Sequence, residues 1–137
     1  MADRIRRVPY FYVLAHDKAG EGARALRTLH DAGVNLLAFS GFPEGRRSQL
    51  DFVPEDPAAF RAAAKKAGWK VTGPKTAFLV DGEDRPGAVA EILGKLAAAK
   101  VNVTATDAVC AGAGRFGVLF WVKPGDVSRA ARALAAE

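Results

Sequence analysis

The residues able to do chemistry concentrate at two short turns. One reads Asp81-Gly82-Glu83-Asp84-Arg85-Pro86-Gly87 and the other Ala15-His16-Asp17-Lys18-Ala19-Gly20. Each precedes a stretch with helical periodicity, so each sets an aspartate and a glycine at a helix N-terminus. Unpaired N–H groups and the helix dipole make such an end a natural carboxylate site. Asp84 can cap its helix, Pro86 fixes φ in the first turn, and Gly87 lets a ligand or another chain approach the backbone. Eighteen residues after each aspartate stands an asparagine, Asn35 or Asn102, at the start of the next apolar run. Its amide both donates and accepts, which suits a zwitterion that needs both.

The remaining reactive side chains form no second pattern. His16 lies in one turn, but its counterpart in the other is Glu83, and His30 falls near a helix end facing solvent. Two separated histidines without a patterned carboxylate partner do not make a metal site. Cys110, before a Gly-rich turn, reads as a small apolar filler. Ala111-Gly112-Ala113-Gly114 lacks the Lys-Ser/Thr ending of a phosphate loop and reads as a hairpin. No motif pairs a nucleophile with a general base. No catalytic residue, metal or cofactor is therefore expected.

Composition narrows the class further. Of 137 residues, 50% are apolar and 26% charged, a globular balance. Lys plus Arg number 20 against 15 Asp plus Glu, a formal +5. Residues 1–67 hold 11 basic and 8 acidic groups, leaving 9 and 7 for residues 68–137. So even a spread argues against a nucleic-acid arm or a polybasic membrane anchor. A single cysteine excludes an internal disulfide framework. No apolar run approaches the roughly 18–20 residues that span a bilayer. Val8–Ala15 after the basic Met1–Arg7 is a poor leader, because His16-Asp17-Lys18 follows where small cleavage-site residues belong. A cytoplasmic protein is expected.

The elements that position the two turns repeat. Shifted by 67 residues, the chain aligns with itself without a gap. Asp17 falls on Asp84, Gly20 on Gly87, Leu29 on Leu96, Val34 on Val101, Asn35 on Asn102 and Pro57 on Pro124. A duplication follows. Val8–Ala15 and Thr76–Val80 suit buried strands. Helices follow, carrying Val89, Ile92, Leu93 and Leu96 in one copy and a weaker Ala25, Leu26, Leu29, Ala32 stripe in the other. Val34–Phe39 and Val101–Thr106 begin second strands, and Gln49–Val53 and Gly117–Val122 third strands. Ala58–Ala67 and Val127–Ala136 are second helices, opened by Pro57 and Pro124. Trp69–Thr72 is a fourth strand, and Gly73-Pro74 marks the junction. The expected organisation is residues 8–73 and 74–137.

Each copy therefore reads as strand-helix-strand-strand-helix-strand, an α+β ferredoxin-like βαββαβ unit with antiparallel sheet and helices on one face. The second copy ends before its last strand, which leaves the apolar Thr76–Val80 as a bare edge. The N-terminal Asp3–Arg7 or a second subunit is expected to cover it.

Asp84-Arg85-Pro86-Gly87, then an amphipathic helix, then Val101-Asn102-Val103 opening a strand, inside such a unit, resembles the ACT domain family. The resemblance spans nearly the whole chain as two tandem copies, though Ala19 stands where the second copy has Pro86. It implies a non-catalytic regulatory module that binds a small ligand, usually an amino acid, at the interface between two units. The ligand-binding set it implies is Asp17, Gly20, Asn35, Asp84, Arg85, Pro86, Gly87 and Asn102. The two copies could pair internally, chains could pair again as a homodimer, and a separate metabolic enzyme or regulator would be the target. Divergence of the two turns predicts unequal sites. Two other readings compete: a ferredoxin-like nucleic-acid-binding or protein-interaction module, which Phe116, Phe120 and Trp121 could serve, and a small enzyme. Adjacent Phe120 and Trp121 face opposite sides of a sheet, which weakens the first, and the missing acid–base constellation weakens the second.

Overall fold

The computed structural model describes residues 3–137, so Met1 and Ala2, the start of the basic stretch weighed above as a leader, lie outside the described residues. Two compact units emerge, one formed by Pro9–Lys75 and the other by Thr76–Glu137 together with the segment through Val8. Both are α+β, ferredoxin-like and built on antiparallel strands. The Pro9–Lys75 unit runs βαββα into a strand at Thr72–Glu83, and the other runs βαββα with the N-terminal part of the strand Arg4–His16 beside Thr72–Glu83.

In the Pro9–Lys75 unit, β1 (Arg4–His16) leads into α1 (Glu21–Asp31), β2 (Leu36–Glu44), β3 (Arg47–Pro54) and α2 (Pro57–Lys66). β3 is central, pairing antiparallel with β1 from Phe11↔Phe52 to His16↔Arg47 and with β2 from Leu36↔Pro54 to Glu44↔Arg47. Strand alternation sends Phe11, Leu50 and Phe52 to the helix side, where they bury with Ala25 and Leu29 of α1 and Phe60, Ala63 and Ala64 of α2. Leu26 and Ala32, expected on the buried stripe of α1, are exposed instead. α2 begins as its sequence predicts. Pro57 takes the first helical position and Asp56 accepts from the N–H groups of Ala58 (3.0 Å) and Ala59 (3.2 Å).

Trp69–Thr72 does not form a strand of its own, and Gly73-Pro74, expected at the junction of the copies, lies within a strand just before the boundary between the two units. β4 runs without interruption from Thr72 to Glu83. Its first residues lie beside β1 as the fourth strand of the Pro9–Lys75 unit. Gly73 makes that passage possible. Its φ is +127°, and a Cβ there would stand 2.8 Å from the Tyr10 carbonyl oxygen.

In the other unit the rest of β4 leads into α3 (Ala88–Ala98), β5 (Val103–Gly112), β6 (Arg115–Val122), a 3₁₀ turn (Pro124–Asp126) and α4 (Val127–Leu134). β6 pairs with β4 from Phe78↔Phe120 to Glu83↔Arg115 and with β5 from Val103↔Val122 to Gly112↔Arg115. Phe78, Val80, Phe116, Val118 and Phe120 pack under Ile92 and Leu96 of α3 and Ala130 and Leu134 of α4. The N-terminal part of β1 covers the edge of β4 that the short second copy leaves open. Ile5 packs on this core, and the backbone of Glu137 bonds to Ile5 and Arg7.

One carboxylate breaks the apolar pattern of the Pro9–Lys75 unit. Asp51 on β3 is 3% exposed, beside Tyr12 of β1 and Ser40 of β2, and accepts from Gln49 Nε2 at 2.9 Å. Desolvation raises its pKa above the ordinary carboxylate value, outweighing the Gln49 hydrogen bond and the Lys75 charge. A raised folded pKa means a stabilising contribution that is full below the ordinary value near 3.8 and lost as pH rises through the folded value. Asp51→Asn is therefore expected to stabilise the protein at pH 7.5, on the order of 1 kcal/mol, with the gain vanishing below about pH 4. Urea unfolding at both pH values measures this. A less stable variant at pH 7.5 would show that Gln49 and Lys75 compensate the charge.

Candidate functional site

The β4–α3 turn shapes a groove. β4 ends at Glu83, Asp84 N–H donates to the Gly114 carbonyl in the β5–β6 hairpin (2.8 Å), and the chain turns through Arg85 and Pro86 into Gly87. Gly87, at φ +82°, is the residue that caps α3, and no side chain caps the helix. The expectation that Asp84 caps α3 and that Pro86 lies in its first turn is thus corrected. The helix starts later, because glycine at positive φ makes the turn without a side-chain acceptor. Among the described residues no side chain takes the N–H groups of the first turn, although the Ala88 N–H donates to the Arg85 carbonyl (3.3 Å).

Asp84 is used differently. It lines a groove of about 390 Å³ whose apolar wall is Ala88, Val89, Ala108, Val109 and Phe116. Cys110 lines the same groove. Hydrogen bonding to the Asp84 carboxylate first, then desolvation and the carboxylate's charge, holds the thiol pKa above its ordinary value. Cys110 is exposed on β5, not the apolar filler expected, because β5 is an edge strand whose side chains are nearly all open to solvent. The groove therefore offers a negative charge, a neutral thiol, an apolar wall of small residues and uncapped helix N–H groups.

The other expected residues distribute unevenly. Arg85 and Gly87 line the groove with Asp84, whereas Pro86 and Asn102 do not. Arg85 is engaged already, donating to Asp3 and to Glu91. Asn102 lies exposed beyond the far end of α3. The 11 residues of that helix separate it from Asp84 by roughly 16 Å of rise. In the Pro9–Lys75 unit, Gly20 repeats the role of Gly87, capping α1 at φ +95° with no side-chain cap. Asp17 accepts from Ser48 Oγ at 3.0 Å, and Asn35 Nδ2 donates to Glu55 Oε2 at 3.1 Å.

Sequence reasoning missed Cys110, Val109 and Asp3. The register Cys110↔Phe116 puts the thiol on the side of the sheet that Phe116 buries against α3. That side is legible from alternation only once the hairpin register is known. The aromatic residues that could have served nucleic acid are buried: Phe116 4%, Phe120 0% and Trp121 7% exposed. Side chains so enclosed offer no stacking face to a base. Among the described residues no group of three or more His, Cys, Asp or Glu is placed to hold a metal ion. None of their helices is long and apolar enough to cross a membrane.

Residues 76–136 match the family model of the ACT domain. No curated protein matches the chain in sequence. Among solved structures, it is similar to a protein from Bacteroides thetaiotaomicron at 18% identity and a TM-score of 0.80, covering 97% of this chain and 88% of that one. It is also similar to the ligand-free regulatory subunit of aspartate kinase from Thermus thermophilus (16% identity, TM-score 0.63, 98% and 93% covered). The regulatory subunit of aspartate kinase from Thermus flavus is comparable, at 17% identity and a TM-score of 0.59, with 98% and 94% covered. At these identities the likeness is one of fold.

Proposed function

We propose that this chain, whose residues 76–136 match the family model of the ACT domain, is a non-catalytic regulatory module that binds a small metabolite, an amino acid, at the β4–α3 turn. The observation that carries the reading is the groove itself, where a carboxylate, uncapped helix N–H groups and an apolar wall meet. A ligand carboxylate would take the first-turn N–H groups of Val89 and Ala90, its ammonium would face Asp84, and its side chain would lie on Ala88, Val89 and Ala108. The fold shared with regulatory subunits of aspartate kinase supports a regulatory role in place of a catalytic one.

The asparagines enter through a second copy. Because α3 holds Asn102 away from Asp84, a ligand that touches both an aspartate and an asparagine takes the asparagine from another ACT-like unit. We assign that role to a homodimer partner. Binding would then bias how copies pack, since it adds contacts to one arrangement only. Asn102 is the stronger candidate, because the Asn35 amide is already spent on Glu55.

A thermal-shift screen against the twenty amino acids tests the proposal. A ligand at 100 times its Kd adds roughly 2.7 kcal/mol, a shift of several degrees in a protein of this size. A selective shift is expected, reduced more by Asn102→Ala than by Asn35→Ala. No shift with any amino acid would remove the amino-acid reading, and equal losses from the two variants would remove the asparagine assignment.

A further inference from the structure

The turn that carries the groove is held by a residue from outside its own repeat. Asp3 lies 82 positions before Arg85, yet its two oxygens accept from Arg85 Nη1 and Nη2 at 3.1 Å each. Nη1 also donates to the Glu83 carbonyl (3.0 Å) and Nη2 to Glu91 Oε2 (3.2 Å), while the guanidinium stands 5.9 Å over the Phe116 ring. Four of its five N–H donors are thereby engaged, so Arg85 serves as a brace of the turn. The Asp3 side chain is only 10% exposed and occupies the space above Gly82, where a Cβ would come within 2.1 Å of Asp3 Oδ1. The fit is specific on both sides: a bidentate fork on one, a missing side chain on the other.

We propose that Asp3 is a positioning residue of the groove, fixing Arg85 and, through it, the turn that presents Asp84 to Cys110. The brace belongs to one turn alone. In the duplicated turn Lys18 stands in place of Arg85 and pairs with Glu21 of the adjoining helix at 3.5 Å. A lysine lacks the planar fork that a bidentate clamp requires. The two turns therefore differ in rigidity as well as in sequence. The inference rests on the function proposed above only in calling the groove a ligand site.

Cys110 reports the turn without any ligand, because it is the single cysteine of the chain, lies exposed and lines the groove with Asp84, whose carboxylate raises the thiol pKa. Its rate of alkylation by iodoacetamide, at fixed pH and well below the melting transition, is the measurement. Asp3→Asn is expected to speed labelling roughly fivefold, the factor equivalent to ~1 kcal/mol, as the turn loosens and Asp84 releases the thiol. Arg85→Gln should do the same, and the double variant should add nothing further. Arg4→Gln, which removes the neighbouring Arg4–Glu137 pair and leaves Arg85 untouched, should label at the unmodified rate. Labelling of Asp3→Asn at the unmodified rate would overturn the proposal, as would acceleration by Arg4→Gln to the same extent. A flat ligand screen would remove the proposed function and leave these rates to be judged on their own.

Discussion

Phe52→Ala is expected to cost about 3–5 kcal/mol and lower Tm by roughly 10 °C or more. Phe52 is 0% exposed at the centre of an aromatic cluster, its ring 5.3 Å from Phe60, 5.4 Å from Phe39 and 5.8 Å from Trp69. Rings from β2, α2 and the segment after α2 thus meet on one side chain of the central strand β3. Removing it opens a cavity that neither the stiff rings nor the paired backbone can collapse into. Phe52→Leu keeps much of the volume and is expected to lose less than half as much. Urea unfolding of the two variants beside the unmodified protein decides the matter. A loss below about 1 kcal/mol for Phe52→Ala would mean that the cluster is not packed as described.

Gly73→Ala is expected to cost about 3 kcal/mol, more than any other single added methyl in the Pro9–Lys75 unit. Two effects add. At φ +127° an L-residue is strained, a penalty of roughly 1–2 kcal/mol. The new methyl would also meet backbone, 2.8 Å from Tyr10 O and 3.2 Å from Phe11 Cα, and backbone cannot swing aside as a side chain tip can. Gly68→Ala separates the two contributions, since Gly68 has φ +74° and nothing within 4 Å of its added Cβ. It should lose only about 1 kcal/mol. Equal losses at the two positions, measured as urea midpoints, would show that β4 does not pass close to β1 at Gly73.

Both positions mark where sequence reading succeeds and where it stops. Phe52 belongs to an alternating apolar run, and its burial follows from periodicity alone. Gly73-Pro74 carries the strongest break signal between the copies, yet β4 continues through it to Glu83. A glycine before a proline reads the same whether the chain turns there or skims a neighbouring strand, and only the neighbour distinguishes them. Asp84 shows the same limit at the site. Its type suits a helix cap, but Gly87 makes the turn three residues later and leaves the carboxylate in the groove it shares with Cys110.

The sequence by itself determined the duplication, the element order of the two copies with the second lacking its last strand, and most of their buried faces, Leu26 and Ala32 excepted. All of these depend on local periodicity and residue type, which the chain carries wherever it folds. Only the tertiary structure decided that residues 4–8, and not a second subunit, lie along the β4 edge, that Asp3 would clamp Arg85, and that Cys110 would share a groove with Asp84. Those contacts join residues dozens of positions apart. Strand register and edge pairing set them, and neither leaves a mark at the positions involved until the neighbouring strand is in place.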